Sequence, residues 1–254
     1  MNLIKKKLYP KIWNKDDTIN PDVRKKLIEI AKDFIEYTKV KNLKLHDIIF
    51  TGSLANYNYH SKSDVDLHLI FNLSNFERHR KFINEYLQTK RTVWNNDHDI
   101  TIRGFNVEIY PEDEVEQHSS SGKFSLIQNE WIVKPKIQDA SVVDSEEVKK
   151  KYQDMVDQVL YFEDEASKKD VNFKVLIKNI EKFLINLRDS RKSSLKVNGE
   201  LSSLNLAFKK FRNNGYIQKI HDLKDTIYDT HMSLKEMPTN NKMLPLVTRN
   251  FTNK

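Results

Sequence analysis

The stretch FTGSLANYNYHSKSDVDLHLIF, from Phe50 to Phe71, constrains the chain more than any other. Gly52-Ser53 closes an apolar run, and eleven residues after Ser53 come Asp64 and Asp66, spaced by Val65 and followed by LHLIF. The alternation predicts a strand, and alternate strand residues face the same way. Val65, Leu67 and Leu69 then enter a core, and Asp64 and Asp66 project together from the other face. Two carboxylates so close repel, and on a half-buried surface they need a cation or a proton. Hard oxygen donors select Mg²⁺ or Mn²⁺ over zinc. A third acid, Glu108 in FNVEIYP, is flanked by Val107 and Ile109, which point away from it. If its strand lies beside the Asp64–Asp66 strand, Glu108 joins the cluster. Three carboxylates can hold two metal ions about 3.5–4 Å apart, as in-line phosphoryl displacement requires.

The order of elements predicts an α+β fold, a mixed sheet flanked by helices and followed by an all-helical C-terminal region. A helix is expected over Pro21–Val40, with Asn20 as cap and Leu27, Ala31, Phe34 and Thr38 on one face. Strands are expected at Leu45–Phe50 and Asp64–Phe71. A helix over Asn75–Thr89 should bury Phe76, Phe82, Ile83, Tyr86 and Leu87. DITIRGFNVEIY (Asp99–Tyr110) reads as a hairpin turning at Gly104. Phe124–Pro135 reads as a further strand or hairpin. Helices follow over Ser145–Glu165, Asn172–Ser193, Leu201–Asn213 and Tyr216–Glu236, broken at Asn198-Gly199 and Asn214-Gly215. The expected division is a catalytic α/β domain over 1–140, a helical domain over 141–238 and a tail over 239–254.

Composition removes several classes. The chain of 254 residues has no cysteine, which excludes a disulfide framework and thiolate zinc sites. No run approaches the roughly 20 apolar residues that span a bilayer, and the N-terminus lacks a signal-peptide pattern. The expectation is a cytoplasmic protein without membrane association, in host cytoplasm if viral. The net charge is +7, and residues 168–212 alone hold twelve Lys/Arg against four Asp/Glu. That bias suits a polyanionic partner such as nucleic acid or nucleotide phosphates, and equally a solvated lysine-rich helix face.

The Gly-Ser pair then acquires a role. Gly52 lets backbone approach a ligand, and Ser53 with the amides after it, opening a helix, is suited to the β- and γ-phosphates of a triphosphate. Gly52-Ser53, Asp64-Val65-Asp66 and the distant Glu108 together resemble the DNA-polymerase-β-type nucleotidyltransferase superfamily. The runs HDITIRGFNVEIYPED, GKFSLIQNEWIVKP and GELSSLNLAFKKFRNNGY further resemble predicted nucleotidyltransferases of large tailed phages. The resemblance implies a metal-dependent enzyme that moves a nucleoside monophosphate from an NTP, commonly ATP, to a hydroxyl. Asp64, Asp66 and Glu108 would be catalytic metal ligands, with Mg²⁺ or Mn²⁺ as cofactor. An RNA 3′ end is the acceptor favoured by the basic helical region. Protein or small-molecule hydroxyls, and synthesis of a linked or cyclic oligonucleotide messenger, are the alternatives. A different class is a nucleic-acid-binding module whose acids hold a structural cation.

Other residues are candidates on the same chemical grounds. Asn56 and Lys62, in the loop before the aspartates, are candidate nucleotide contacts. So is Lys209, which shares a helical stripe with Asn205 and Arg212. His68 is a candidate for the metal shell or a hydrogen-bonded sheet residue. Lys178, Lys182, Arg188, Arg191 and Lys192 form a candidate nucleic-acid track, without the interleaved aromatics that would strengthen it. Three His-Asp pairs, at 46–47, 98–99 and 221–222, invite comparison with HD phosphohydrolases, whose pair sits on a helix. The first two fall in or at expected strands. The acidic runs at 112–116 and 163–165 read as solvated.

Overall fold

A computed structural model describes residues 4–115, 120–137, 143–168 and 170–233. The expected tail over 239–254, and the last residues expected in the final helix, lie outside them. The elements run α1 (Pro21–Thr38), β1 (Lys44–Thr51), β2 (Val65–Asn72), α2 (Arg80–Asp97), β3 (Thr101–Ile102), β4 (Phe105–Asp113), β5 (Lys123–Ser125), β6 (Glu130–Val133), then α3 (Ser145–Ser167), α4 (Phe173–Asn198), α5 (Ser203–Asn213) and α6 (Tyr216–Met232). The strands form one mixed sheet in the order β3-β4-β2-β1-β5-β6. β2 and β4 are parallel and joined through α2, and the other pairs are antiparallel. The α+β class expected from the sequence is the one observed.

Each end of α1 follows from its residues. Asn20 accepts from the backbone N–H of Asp22 at 3.0 Å, Pro21 fits the first turn, and Lys39 leaves the helix with φ 57°. Leu27, Ala31 and Phe34 are fully buried against Val65, Leu67 and Leu69 of β2, so the core fills the back of the sheet and leaves the Asp66 face clear. The hairpin turns through Arg103 and Gly104, both at positive φ, 53° and 90°, as a tight two-residue turn requires.

The N-terminal segment also enters this core. Trp13 stacks between Phe50 (5.5 Å) and Trp131 (4.5 Å), and its indole N–H donates to the Leu54 carbonyl at 2.7 Å. No periodicity announced that segment. A second, separate core joins the four C-terminal helices around Val159, Phe162, Ile180, Phe211 and Ile220. Among the described residues no helix is long and apolar enough to cross a membrane.

Several boundaries differ from expectation. Residues Ser74–His79 are a 3₁₀ segment, and the α-helix begins at Arg80 and runs to Asp97. The change of phase turns Phe82 outward, 66% exposed, while Leu87 and Trp94 face the sheet. α4 continues five residues beyond Ser193, because its apolar stripe and Lys196 carry the last turn to the Gly199 stop.

Candidate active site

Gly52 ends β1 with φ 79°. A Cβ built there would lie 1.7 Å from Asp66 Oδ2, so the Asp66 carboxylate occupies the space of a side chain at position 52. Only glycine satisfies both the backbone angle and the contact. Ser53 follows in a 3₁₀ turn of three residues, Ser53–Ala55, and not at the start of an α-helix as expected. Its hydroxyl donates to Ser63 Oγ at 2.7 Å, and Ser63 in turn accepts from the His60 backbone N–H at 2.9 Å. The loop between serine and aspartates is thereby tied to itself.

Asp64 immediately precedes β2, and Asp66 sits two residues on, both half-buried. In the parallel β2–β4 pairing Asp66 lies opposite Glu108, and His68 opposite Tyr110. The three acids therefore belong to one sheet face, as expected. Burial pushes the Asp66 carboxyl up to about 7, with the charges of Glu108 and Asp64 adding and those of Arg212 and Lys209 opposing. Burial and Glu108 raise Asp64 as well, against Arg212. The charges of Arg212 and Lys209 do not fully offset the burial and mutual repulsion of this pair.

Those hard oxygens suit a divalent ion, and the uncompensated charge gives a reason for one. Glu108 fits less directly. The Tyr110 hydroxyl donates to it, and among the described residues no three acids or imidazoles are gathered into a ligand set. Asp64 and Asp66 fit an ion as they stand, whereas Glu108 would have to leave Tyr110 to join them. Burial and the neighbouring acids raise the Tyr110 phenol far above its ordinary range, so it stays a donor.

The sheet face forms one wall of a cleft of about 530 Å³, and α4, α5 and their connection form the other. Gly52, Ser53, Lys62, Asp64 and Asp66 line the near side, and Arg191, Glu200, Asn205, Lys209 and Arg212 the far side. Besides Glu108, the sequence candidate that the cleft leaves out is Asn56. It is 4% exposed, donates to Ser121 Oγ and accepts from the Tyr57 N–H at 2.8 Å, so its amide braces the loop. Glu108 faces the adjoining cavity beyond Tyr110.

Sequence reasoning missed Glu200. It accepts from Asn58, from Ser121 Oγ at 2.8 Å and from Lys209 Nζ at 3.4 Å. Burial raises its carboxyl, but the Lys209 charge and the bonds from Ser121 and Asn58 outweigh that and hold it below the usual range. Its backbone carbonyl accepts from Asn205 at 2.7 Å, and Asn205 Oδ1 accepts from Arg191 Nε at 2.9 Å. Asn205, read as part of a polar stripe, is in fact fully buried. Arg191 leaves the expected nucleic-acid track and turns into the cleft, 4.7 Å from the Phe208 ring centre, while Lys178, Lys182, Arg188 and Lys192 are exposed.

His68 Nδ1 lies 2.6 Å from Glu112 Oε1, and its ring stacks on Tyr110. That is the hydrogen-bonded sheet role. The His-Asp pairs occupy β1, the end of α2 and α6, and do not converge. Glu112 of the first acidic run is only 14% exposed in its side chain, not solvated as expected. Position 116 lies outside the described residues.

No family model matches the chain, and no curated protein matches it. Among solved structures it is similar to a STING-associated CdnE c-di-GMP synthase from Capnocytophaga granulosa, with 16% identity over 84% of this chain and 83% of that one and a TM-score of 0.22.

Proposed function

We propose that the protein is a divalent-cation-dependent nucleotidyltransferase, moving a nucleoside monophosphate from an NTP, with ATP the first to test, onto a hydroxyl. The supporting observation is the Asp64–Asp66–Glu108 row on one sheet face opposite the Lys209–Arg212 wall. Acids on one side and cations on the other match a triphosphate whose α-phosphorus sits beside the acids. Lys62, Lys209 and Arg212 hold phosphate charge, Ser53 hydrogen-bonds a phosphate oxygen, and Gly52 keeps that approach open. Mg²⁺ or Mn²⁺, held by Asp64 and Asp66 with Glu108 as third ligand, supplies charge neutralisation and a more acidic acceptor hydroxyl when bound. The acceptor oxygen forms a bond to the α-phosphorus, the bond to pyrophosphate breaks, and the hydroxyl proton leaves towards Glu108.

The test is incubation with α-labelled NTPs, Mg²⁺ or Mn²⁺ and separate pools of RNA, nucleotides, proteins and small alcohols. Pyrophosphate release and a labelled product, both lost in Asp64→Ala and Asp66→Ala, are expected. Triphosphate binding without release in every pool would instead leave a nucleotide-binding module.

A further inference from the structure

Asp64, Asp66 and Glu108 share one sheet face, yet the third acid is already engaged. Glu108 accepts from the Tyr110 hydroxyl, two residues along β4 on the same face. Among the described residues no cation pairs with Glu108. The Tyr110 ring is itself held from two elements. His68, opposite it on β2, stacks on it at 4.9 Å between ring centres, and Glu112 Oε1 lies 2.6 Å from His68 Nδ1. Arg91 of α2 lies 5.4 Å from the same ring centre. Tyr110 lines both the cleft and a smaller cavity of about 260 Å³ beyond it, so it stands at the boundary between them.

A ring packed in this way does not move to suit Glu108; the acid comes to it. Donation to a carboxylate is a strong, directional bond, and the partner of a metal-ligating group tunes its affinity for the ion. We propose that Tyr110 is a positioning residue that regulates the cation site of the reaction read above: its hydroxyl keeps Glu108 off the Asp64–Asp66 pair until Glu108 exchanges that bond for a divalent ion. This deepens that reading and rests on it. Asp64 and Asp66 fit an ion unaided, and the release of Glu108 completes the set. Tyr110 thereby raises the cation concentration at which the site fills. Tyr110→Phe keeps the ring against His68 and Arg91 and removes only the hydroxyl, so it isolates the latch.

The experiment is titration of Mn²⁺ into the full chain without nucleotide, with free Mn²⁺ read by electron paramagnetic resonance. Tyr110→Phe is expected to bind Mn²⁺ about tenfold more tightly, the weight of one hydrogen bond to a charged group. The gain should vanish in a Glu108→Gln background, a coupling that general loosening of the sheet does not produce. A second readout uses the unaltered chain: Mg²⁺ should give a near-ultraviolet tyrosine difference signal as the phenol loses its carboxylate, and Glu108→Gln should abolish it. Mn²⁺ affinity that is unchanged or weakened in Tyr110→Phe, a gain equal in both backgrounds, or Mg²⁺ binding with no tyrosine signal overturns the proposal and leaves the nucleotidyltransferase reading standing. No Mn²⁺ bound by either the unaltered chain or Tyr110→Phe removes that reading as well, so the two failures are distinguishable.

Discussion

At the residue scale the most telling contact is between Asp66 and the glycine below it. Gly52→Ala drives a methyl group into the Asp66 carboxylate and also strains a backbone at φ 79°. We expect a stability loss of about 1–3 kcal/mol, read from urea midpoints, and near-complete loss of transfer. Asp66→Asn should do the reverse to stability. It removes a charge that burial and two neighbouring acids oppose, so melting temperature should hold or rise while turnover drops by at least about 10²-fold. A melting temperature that falls as far as in Gly52→Ala would contradict this account of the pair. The aspartates and Glu108 were legible in advance because a strand alternates with period two, and an acid between apolar residues has only one face to occupy. Glu200 was not legible. It is a single acid between two helices, and its meaning comes from Asn58, 142 residues away in sequence.

At the element scale, α2 does more than link two parallel strands. β3 covers only the start of β4, and α2 covers part of the rest. Asn95 exchanges bonds with the Ile109 carbonyl (3.2 Å) and N–H (3.1 Å), and Gln88 donates to the Pro111 carbonyl at 2.7 Å. An edge strand left bare invites pairing with other chains. Asn95→Ala should cost about 1–3 kcal/mol by stranding two backbone groups, whereas Phe82→Ala on the same helix should change little. Chemical denaturation of both variants checks the contrast. At the start of α2, Arg80 forms a two-pronged pair with Asp113 of β4 and holds that carboxyl below its usual range. A depressed folded-state value means the stabilisation is complete above the ordinary aspartate range and is lost as pH falls through the lowered value. Asp113→Asn should therefore flatten the acid limb of the stability curve and leave the alkaline limb alone. The helix-for-strand assignments along this region were readable from periodicity. The start of α2 was not, since the 3₁₀ segment before it preserves a helix-like pattern while shifting its phase.

At the scale of the whole molecule there are two hydrophobic cores with no residue in common, and a cleft between their owners. Glu200 spans that cleft, bonded to Asn58 and Ser121 on the sheet side and to Lys209 on its own. Glu200→Ala should free Lys209, raise amide exchange around residues 58 and 121, and raise KM for the triphosphate more than it lowers kcat. A kcat loss with KM intact would assign Glu200 to the chemistry instead. The α+β order was visible in the sequence because period-two runs, interleaved with helical ones at first, stop near residue 140 and only helical patterns follow. The separation of the cores was not, since nothing local says which apolar stripes meet.

The placement of the tryptophans has a practical consequence. The chain has three. Trp13 and Trp131 stack on each other beneath the Ser53 turn, and Trp94 lies 4.1 Å under the His98 ring at the smaller cavity. Emission from the first two should respond when the donor arrives, and emission from Trp94, away from that turn, gives a reference. Versions of the protein that lack one or the other set would thus report donor binding optically, with no dye attached.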